Sequence, residues 1–318
     1  NPSAFTLNPP SSTSIYGDGS FEITLTPISN RYVIVNSTGK CGNAVREAEV
    51  VVEDIYAGSG GTEAPDYSSM EGFNYAILSG GQFNFQGSGY VSGSQKMHSN
   101  SAIEINGSAQ TEINISSTTS IKVGNNTIEG SITAPSMKVH PHADITGGSS
   151  LATVPPVSIP DIDLTPYFNW ANDHGEVYVG DFSTSSSYSP NGGIMYVIGD
   201  VEISSHAVIS GSIIATGNIK ITGGAQIQPT TSVFAMATES GNLENTSTGS
   251  LEGLVYSKKG NYKQTANGFV KGQIIVGGDV QKGGNSDILI YSQSIPTPPG
   301  GISVTPTKSL PLISAWQK

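Results

Sequence analysis

Carboxylate side chains are concentrated in one segment near the middle of the chain. The segment contains Asp161, Asp163, Asp173, Glu176 and Asp181. Ca²⁺ is a hard cation whose protein ligands are mostly carboxylate and carbonyl oxygens. Asp161, Asp163 and Asp173 are therefore candidate calcium ligands, and no other cofactor is predicted. A solvated acidic surface is the default interpretation, because the sequence lacks the ordered D-x-D-x-D-G loop of calcium-binding proteins.

Three aromatic residues of the same segment could hold a sugar. Tyr167, Trp170 and Tyr178 each offer a large apolar ring face beside a polar edge, which suits the apolar face and hydroxyl rim of a sugar ring. They are predicted as a platform on which a glycan stacks. Packing of the segment against the rest of the protein explains the same three residues equally well.

The histidines give two further candidates. His140 and His142 are two residues apart, so on a strand they would share a face and could bind zinc with a third ligand. Pro141 between them favours a solvent-facing turn instead. His206 lies in a six-residue repeat, where a hexapeptide-repeat acyltransferase would carry its catalytic histidine, but an outward-facing corner histidine explains it more simply. No nucleophile and base are paired in the sequence, and no catalytic residue is predicted.

The elements that must position these residues repeat with a step of six. Between residues 194 and 227 two apolar or small residues recur in every hexad, with one residue between them. The first series is Val201, Ala207, Ile213, Ile219 and Ala225, and the second is Ile203, Ile209, Ala215, Ile221 and Ile227. This pattern predicts short strands whose first and third side chains face inward, separated by corners. Stacked parallel strands of this kind form a β-helix.

A tetrad supports the same fold. Gly, then Asn or Asp, then an apolar residue, then Glu, Lys or Gln begins at Gly199, Gly217, Gly241, Gly260 and Gly278. The steps between these starts are 18, 24, 19 and 18 residues. Three hexads make one turn of a three-sided coil, and the longer step adds an outward insertion. The tetrad therefore predicts one turn of β-helix per copy.

An earlier series with the same six-residue step runs from Ile103 to Ile145. The prolines and aromatic residues between the two series predict an excursion from the β-helix. This excursion is either a short helix or an ordered loop packed on the flank of the solenoid. Three segments of period-two alternation near the N-terminus predict an antiparallel sheet.

The predicted organisation is a small antiparallel β unit at 1–56, a linker at 57–73, a parallel β-helix at 74–292 interrupted at 151–193, and a Pro-rich capping tail at 293–318. The fold class is all-β, with about nine turns. Right-handed winding is favoured by the parallel-crossover rule, with left-handed winding as the alternative.

Composition excludes several classes of function. The formal net charge is −11, so the protein repels phosphate backbones, and nucleic acid is not a predicted partner. A single cysteine, Cys41, excludes an intramolecular disulfide. The sequence has no apolar run long enough to span a membrane as a helix.

Two parts of the chain resemble a known family. The sequences YVIVNSTG at 32–39 and GNAVREAEV at 42–50 resemble the strand, turn and strand that follow the long helix in PilX-like type IV pilus proteins. The later repeat, with Ile213 and Ile219 in one turn and Ile274 in another, looks like the β-helical region of PilX-related exported proteins. At the level of the repeat it is also similar to the polymer-forming bactofilin family. The chain lacks a hydrophobic N-terminal helix, and the resemblance implies that one preceded Asn1.

The sequence and this resemblance together predict a non-enzymatic structural or adhesive protein of the bacterial cell surface, a minor pilin-like or filament-associated subunit. Its expected location is extracellular, and its expected partners are other pilus or filament subunits or surface glycans. One alternative is a carbohydrate-active β-helical enzyme, a polysaccharide lyase or glycosidase, which needs converging carboxylates or basic groups on one flank. The second alternative is a bactofilin-like self-polymerising scaffold, whose end rungs should be uncapped and apolar.

Overall fold

A computed structural model describes residues 19–27, 32–41, 44–53, 67–285, 287–289 and 295–299. The described residues belong to two compact units, one within Asn1–Glu63 and the other within Ala64–Ile302. The predicted all-β fold, a parallel β-helix and a small antiparallel unit, is confirmed. The hand of the winding stays a prediction.

The N-terminal unit is a three-stranded antiparallel sheet in the order β1-β2-β3. Its strands are β1 (Gly19–Pro27), β2 (Tyr32–Cys41) and β3 (Ala44–Glu53). The register pairs Gly19 with Cys41 and Tyr32 with Glu53. This is the arrangement that the alternating segments predict.

The second unit is a three-sided β-solenoid made of two coils. Two 3₁₀ turns, Tyr67–Ser69 and Glu71–Asn74, lead into the first coil. The strands of the first coil are β4 (Tyr75–Ser79), β5 (Phe83–Phe85), β6 (Tyr90–Ser92), β7 (Lys96–Ser99), β8 (Ala102–Ile105), β9 (Gln110–Thr111), β10 (Ile115–Ser117), β11 (Ser120–Val123), β12 (Thr127–Ile128), β13 (Ile132–Ala134), β14 (Ser136–Val139), β15 (Asp144–Ile145) and β16 (Ser149–Leu151).

A return segment, residues 152–176, connects the two coils and contains the helix α1 (Thr165–Asp173). A 3₁₀ turn, Asn191–Gly193, lies within the second coil. The strands of the second coil are β17 (Val177–Val179), β18 (Phe182–Thr184), β19 (Ile194–Ile198), β20 (Val201–Ile203), β21 (Val208–Ile209), β22 (Ser212–Ala215), β23 (Ile219–Gly223), β24 (Gln226–Ile227), β25 (Phe234–Thr238), β26 (Leu243–Ser247), β27 (Ser250–Ser257), β28 (Tyr262–Gln264), β29 (Phe269–Val276), β30 (Val280–Lys282) and β31 (Ile288–Leu289).

The two coils stack out of chain order. The last turn of the second coil, β29-β30-β31, pairs in parallel with the first turn of the first coil, β4-β5-β6. We call this junction the seam. Within this unit the first coil therefore starts at the seam in the middle of the stack and winds to one end at β14-β15-β16. The return segment then crosses to the opposite end, and the second coil winds back to the seam.

The turns wind over three faces, and the long strands β27 and β29 belong to both face C and face A. Face B has ten strands, in the stacking order β18-β20-β23-β26-β28-β30-β5-β8-β11-β14. Face A stacks β17, β19, β22, β25, β27, β29, β4, β7, β10, β13 and β16. Face C stacks β21, β24, β27, β29, β31, β6, β9, β12 and β15. Eleven strands on face A give about 48 Å at about 4.8 Å per step.

The sequence underestimates the number of turns and overestimates the excursion. About nine turns are predicted, whereas face A has eleven strands. One of the missed turns lies in the predicted excursion, 151–193, since β17 and β18 already form the first turn of the second coil. Prolines and polar residues interrupt the six-residue step there, so the local pattern does not reveal these strands. The helix predicted as one alternative for the excursion is α1.

Two hydrophobic clusters lie on the two sides of face A. The first fills the solenoid interior, and its inward residues include Ile103, Ile121, Ile203 and Ile221. The second lies outside face A, where Tyr167 and Ala171 of α1 pack with outward residues of the face such as Ile214. Because α1 and the return segment cover this face, strands such as β22 and β25 are buried on both sides.

The tetrad has a physical explanation at the corner between faces A and B. Each Asn or Asp accepts, through its side-chain oxygen, a hydrogen bond from the backbone N–H of its counterpart in the next turn. The bonds run from Asp181 through Asp200, Asn218, Asn242, Asn261 and Asp279 to Gln82, at 2.6 to 3.0 Å. The last bond crosses the seam. This Asn/Asp ladder satisfies backbone donors that the corner would otherwise leave without a partner.

Candidate functional site

The predicted calcium ligands do not lie around one point. Asp161 Oδ1 is 2.5 Å from Lys258 Nζ, so its carboxylate forms an ion pair. Asp163 Oδ1 accepts the backbone N–H of Thr165 at 2.9 Å. Asp173 is exposed at the end of α1. Within the described residues, no three His, Cys, Asp or Glu side chains are close enough together to hold a metal ion.

The predicted glycan platform is divided among three places. Tyr167 is wholly buried, its ring packs edge-on against Phe234, and its hydroxyl donates to Thr297 O at 3.1 Å. Trp170 packs on His174 with 4.4 Å between ring centroids. Tyr178 lies in the end turn of the second coil. The three rings therefore do not form one exposed surface.

Tyr178 belongs to an aromatic group that closes this end of the solenoid. The hydroxyls of Tyr178 and Tyr188 lie 3.1 and 2.6 Å from Glu176 Oε2, while Glu176 Oε1 accepts the N–H of Asn191. Phe182 packs on Tyr178 with 4.8 Å between centroids. Burial raises the pKa of Tyr188. These hydrogen bonds account for the buried carboxylate of Glu176 as part of the end turn.

The three histidines singled out in the sequence are exposed. His140 and His142 lie beside each other in the end turn of the first coil, with 5.4 Å between ring centroids. His206 lies at a corner, where its ring covers Gly224 of the next turn. The structure thus places them where the simpler interpretations, a solvent-facing turn and a corner, expect them.

A fourth histidine was missed in the sequence and is central to the packing. His98 is 0 % exposed; its Nδ1 is 2.8 Å from Ser116 Oγ and its Nε2 is 3.0 Å from Asn100 Oδ1. Asn100 also bonds both the N–H and the C=O of Val157. The order of serine, imidazole and amide is that of a nucleophile, a base and an orienting group. Here the buried ring fastens the return segment to face A, and burial lowers the pKa of His98.

Face B carries a charge ladder in its central outward row. The row runs Ser183, Glu202, Lys220, Glu244, Lys263, Gln281, Asn84, Glu104, Lys122, Lys138. Lys220 lies 3.4 Å from Glu202 and Lys263 lies 3.3 Å from Glu244, and Lys122 pairs with Glu104. Opposite charges at this separation stabilise a sheet by a fraction of a kcal/mol each at most. The carboxylates of this face therefore hold lysines one turn away.

Beneath face B, one inward column becomes polar next to the seam. Successive turns place Asn245, Gln264 and Lys282 in this column, followed across the seam by Phe85. Lys282 is 0 % exposed, and its Nζ lies 4.0 Å from the Phe85 ring centroid. Burial lowers the pKa of Lys282 to about 7, with the negative charge of Asp287 acting in the opposite direction.

Two aromatic side chains lie on the outward side of face C, those of Tyr90 and Phe269. In the described chain, the outward rows of face B contain no aromatic side chain. The register places Phe269, Asp287 and Tyr90 in consecutive turns across the seam, so the two rings are about 9.6 Å apart along the stack. Asp287 Oδ1 accepts the N–H of Tyr90 at 2.9 Å, which holds this carboxylate against the backbone between them. The Tyr90 hydroxyl bonds Glu112, and Lys271 Nζ lies 5.3 Å from the Phe269 centroid.

The solved structures that resemble this chain include a remote likeness to an ice-binding protein. No family model matches the chain, and no curated protein matches it. A crystal structure of an ice binding protein from an Antarctic biological consortium aligns with 72 % of this chain and 93 % of its own, at 10 % identity and a TM-score of 0.37. At this TM-score the likeness carries no argument about function. The fold therefore rests on the strand register alone.

None of the helices in the described part of the chain combines the length and hydropathy that a membrane-spanning helix needs.

Proposed function

We propose that the protein is a non-enzymatic structural or adhesive protein of the cell surface, with the solenoid acting as a stiff spacer. The observation that carries this proposal is the use of polar side chains along the stack. The Asn/Asp ladder runs through six consecutive hydrogen bonds, and the charge ladder pairs carboxylates with lysines of the neighbouring turn. Polar side chains that form hydrogen bonds or ion pairs with the neighbouring turn favour a rigid body over a catalytic groove.

The finer assignment is a minor pilin-like or filament-associated subunit. It is supported by the resemblance of the β2 and β3 sequences to PilX-like proteins and by the antiparallel pairing of these strands. Immunogold labelling of intact cells that express the full-length protein should place gold on the cell surface or on its filaments. Labelling that appears only after the cells are permeabilised would contradict the surface location.

A neutral glycan is the partner that best fits the half-buried aromatic pair on face C. Tyr90 and Phe269 present two rings in line, bordered by the polar side chains of Glu112 and Lys271. Sugar rings stack on aromatic faces and place their hydroxyls at the polar rim. The net charge of −11 disfavours a polyanion.

Titration calorimetry with cellohexaose should therefore detect binding that is lost when both rings are removed in the Tyr90→Ala, Phe269→Ala double variant. Tyr90→Phe keeps the ring and should retain most of the affinity. Trp170→Ala is the matched control, because it removes one ring of the glycan platform that the sequence predicted and leaves the face C pair intact. Loss of binding in that variant but not in the double variant would move the site to α1.

A further inference from the structure

Face B presents an open ten-stranded sheet with a row of charges along its centre. The side chains of this row are exposed or half-buried, and those of Glu202, Lys220 and Lys122 are about half exposed. Face A, in contrast, is covered by α1 and the return segment. An open face whose charges follow a definite order favours a partner with the complementary order.

The order of these charges is complementary to its own reverse. Glu202 and Lys220 lie on β20 and β23, the second and third strands from one end of the face. Lys122 and Glu104 lie on β11 and β8, the second and third strands from the other end. When the row is laid against a reversed copy of itself, Glu202 therefore meets Lys122, and Lys220 meets Glu104. The other positions that meet are Glu244 with Asn84, Lys263 with Gln281, and Ser183 with Lys138.

We propose that face B of one copy binds face B of a second copy of this chain, with the two solenoids antiparallel. The two-fold axis runs along the strand direction and passes between β28 and β30, the two central strands of the face. Each strand of the face then lies opposite a strand of the second copy. Within one chain Glu202 lies 3.4 Å from Lys220, and Glu104 pairs with Lys122. In the dimer these two pairs face each other, so each of the two carboxylates lies between two lysines.

The charge order selects this arrangement among those that the face allows. Two parallel solenoids, related by an axis along the stack, would place every charge of the row against itself, which is unfavourable. Shifting the antiparallel copy by one strand in one direction places Glu202 against Glu104. Shifting it in the other direction places Lys220 against Lys122. The full overlap of ten strands therefore brings both kinds of ion pair together without a like-charge contact.

The border of face B that carries the Asn/Asp ladder fits the same alignment. There Asp181 meets Ser136 of the second copy, and Asp200 meets Ser120. The remaining carboxylate of the ladder, Asp279, meets Asn261. The net charge of −11 repels two copies at long range, but at about 0.1 M salt charges more than about 10 Å apart are largely screened. The charges in contact then decide the alignment.

The size of the contact predicts a weak dimer. Ten strands extend over about 43 Å, and three residues of each strand extend over about 10 Å. The footprint of about 430 Å² per copy is roughly half of that in a standard protein–protein interface. Association should therefore become visible at high protein concentration. Because the contact is isologous and closes on itself, it should stop at a dimer.

Sedimentation equilibrium of the full chain at about 0.1 M salt should show a monomer–dimer equilibrium. The double variant Glu104→Lys, Lys122→Glu should lower the association constant by about tenfold or more, because the attractive contacts between copies become repulsive. This variant keeps the net charge and the ion pair within the chain. Its circular dichroism spectrum and thermal unfolding should therefore match those of the wild type.

The reciprocal double variant, Glu202→Lys with Lys220→Glu, should lose dimerisation for the same reason. A mixture of the two double variants should form heterodimers, and a chain with all four substitutions should dimerise like the wild type. The matched control is Glu244→Lys with Lys263→Glu. It reverses the third ion pair of the same face, which lies opposite neutral residues in the dimer, so this control should still dimerise.

Monomers at every concentration overturn the proposal, and so do species larger than a dimer. Association of the Glu104→Lys, Lys122→Glu variant at the wild-type level also overturns it, because these residues then do not meet the second copy. If the two double variants are monomeric and stay monomeric when mixed, the pairing of Glu202 with Lys122 is wrong. The proposal is independent of surface location and of glycan binding, since Tyr90 and Phe269 lie on face C.

Discussion

Replacing Gly241 by alanine is expected to lower the free energy of unfolding by about 3 kcal/mol, the upper range for forcing an extra methyl group into a packed interior. A Cβ at this position would lie 1.9 Å from Gly217 O, the carbonyl oxygen of the preceding turn. That oxygen is fixed in the stacked backbone, so the two turns must separate at the corner. Separation also strains the neighbouring bond from Asn242 N to Asn218 Oδ1. Denaturant unfolding followed by circular dichroism measures the loss.

The matched control is Gly283→Ala, in the same coil. A Cβ there would meet Gln264 O at 3.6 Å, an ordinary van der Waals contact, and Gly283 does not have a positive φ. We therefore expect a change close to zero. An equal loss of stability in both variants would show that the close approach of two turns does not explain the glycine of the tetrad, because Gly→Ala by itself lowers the entropy of the unfolded chain and favours folding.

Replacing Lys282 by methionine is expected to remove most of the dependence of stability on pH between about 7.5 and 9. Burial lowers the pKa of Lys282 in the folded protein to about 7, below the ordinary lysine value of 10.5. Between these two values the unfolded chain binds a proton that the folded protein does not, so stability rises with pH. The expected slope is about 1.4 kcal/mol per pH unit for one proton.

The sign of this pH dependence can also be checked below pH 7. Below pH 7 both states of the wild-type protein carry the charge and the cost of burying it is greatest, so Lys282→Met should be the more stable protein there. Gln264→Met, in the same column one turn away, removes a polar group without removing a charge. It should keep the wild-type slope. A slope that survives in Lys282→Met would assign the pH dependence to another group.

The six-residue step predicted the solenoid because it is a local property of the chain. An inward residue such as Ile203 or Ile221 is recognisable by its alternation with Glu202 and Lys220. The tetrad is visible for the same reason. Its glycine fits a close approach of two turns, and its Asn or Asp bonds the backbone of the next turn, so each copy needs the same residues in the same order.

The candidate surfaces could not be predicted in this way. Tyr90 and Phe269 become neighbours only because the second coil stacks on the first turn of the first coil. His98 meets Ser116 through the pairing of β7 with β10, and its neighbour Asn100 bonds Val157 of the return segment. The aromatic residues of 167–178 illustrate the opposite case, because residues close in sequence are separated in space. Tyr167 packs in the hydrophobic cluster outside face A, whereas Tyr178 packs against the cluster of the solenoid interior.

The sequence by itself determined that this protein is a β-solenoid with an antiparallel N-terminal unit, because apolar alternation, glycine corners and the Asn/Asp ladder act within a turn or between identical turns. Only the tertiary structure decided which turn lies on which. Every turn presents a similar apolar interior, so the local pattern allows many stacking orders. The order is selected by contacts between distant residues, such as Lys282 under Phe85 and Asp279 beside Gln82, and by the return segment that links opposite ends.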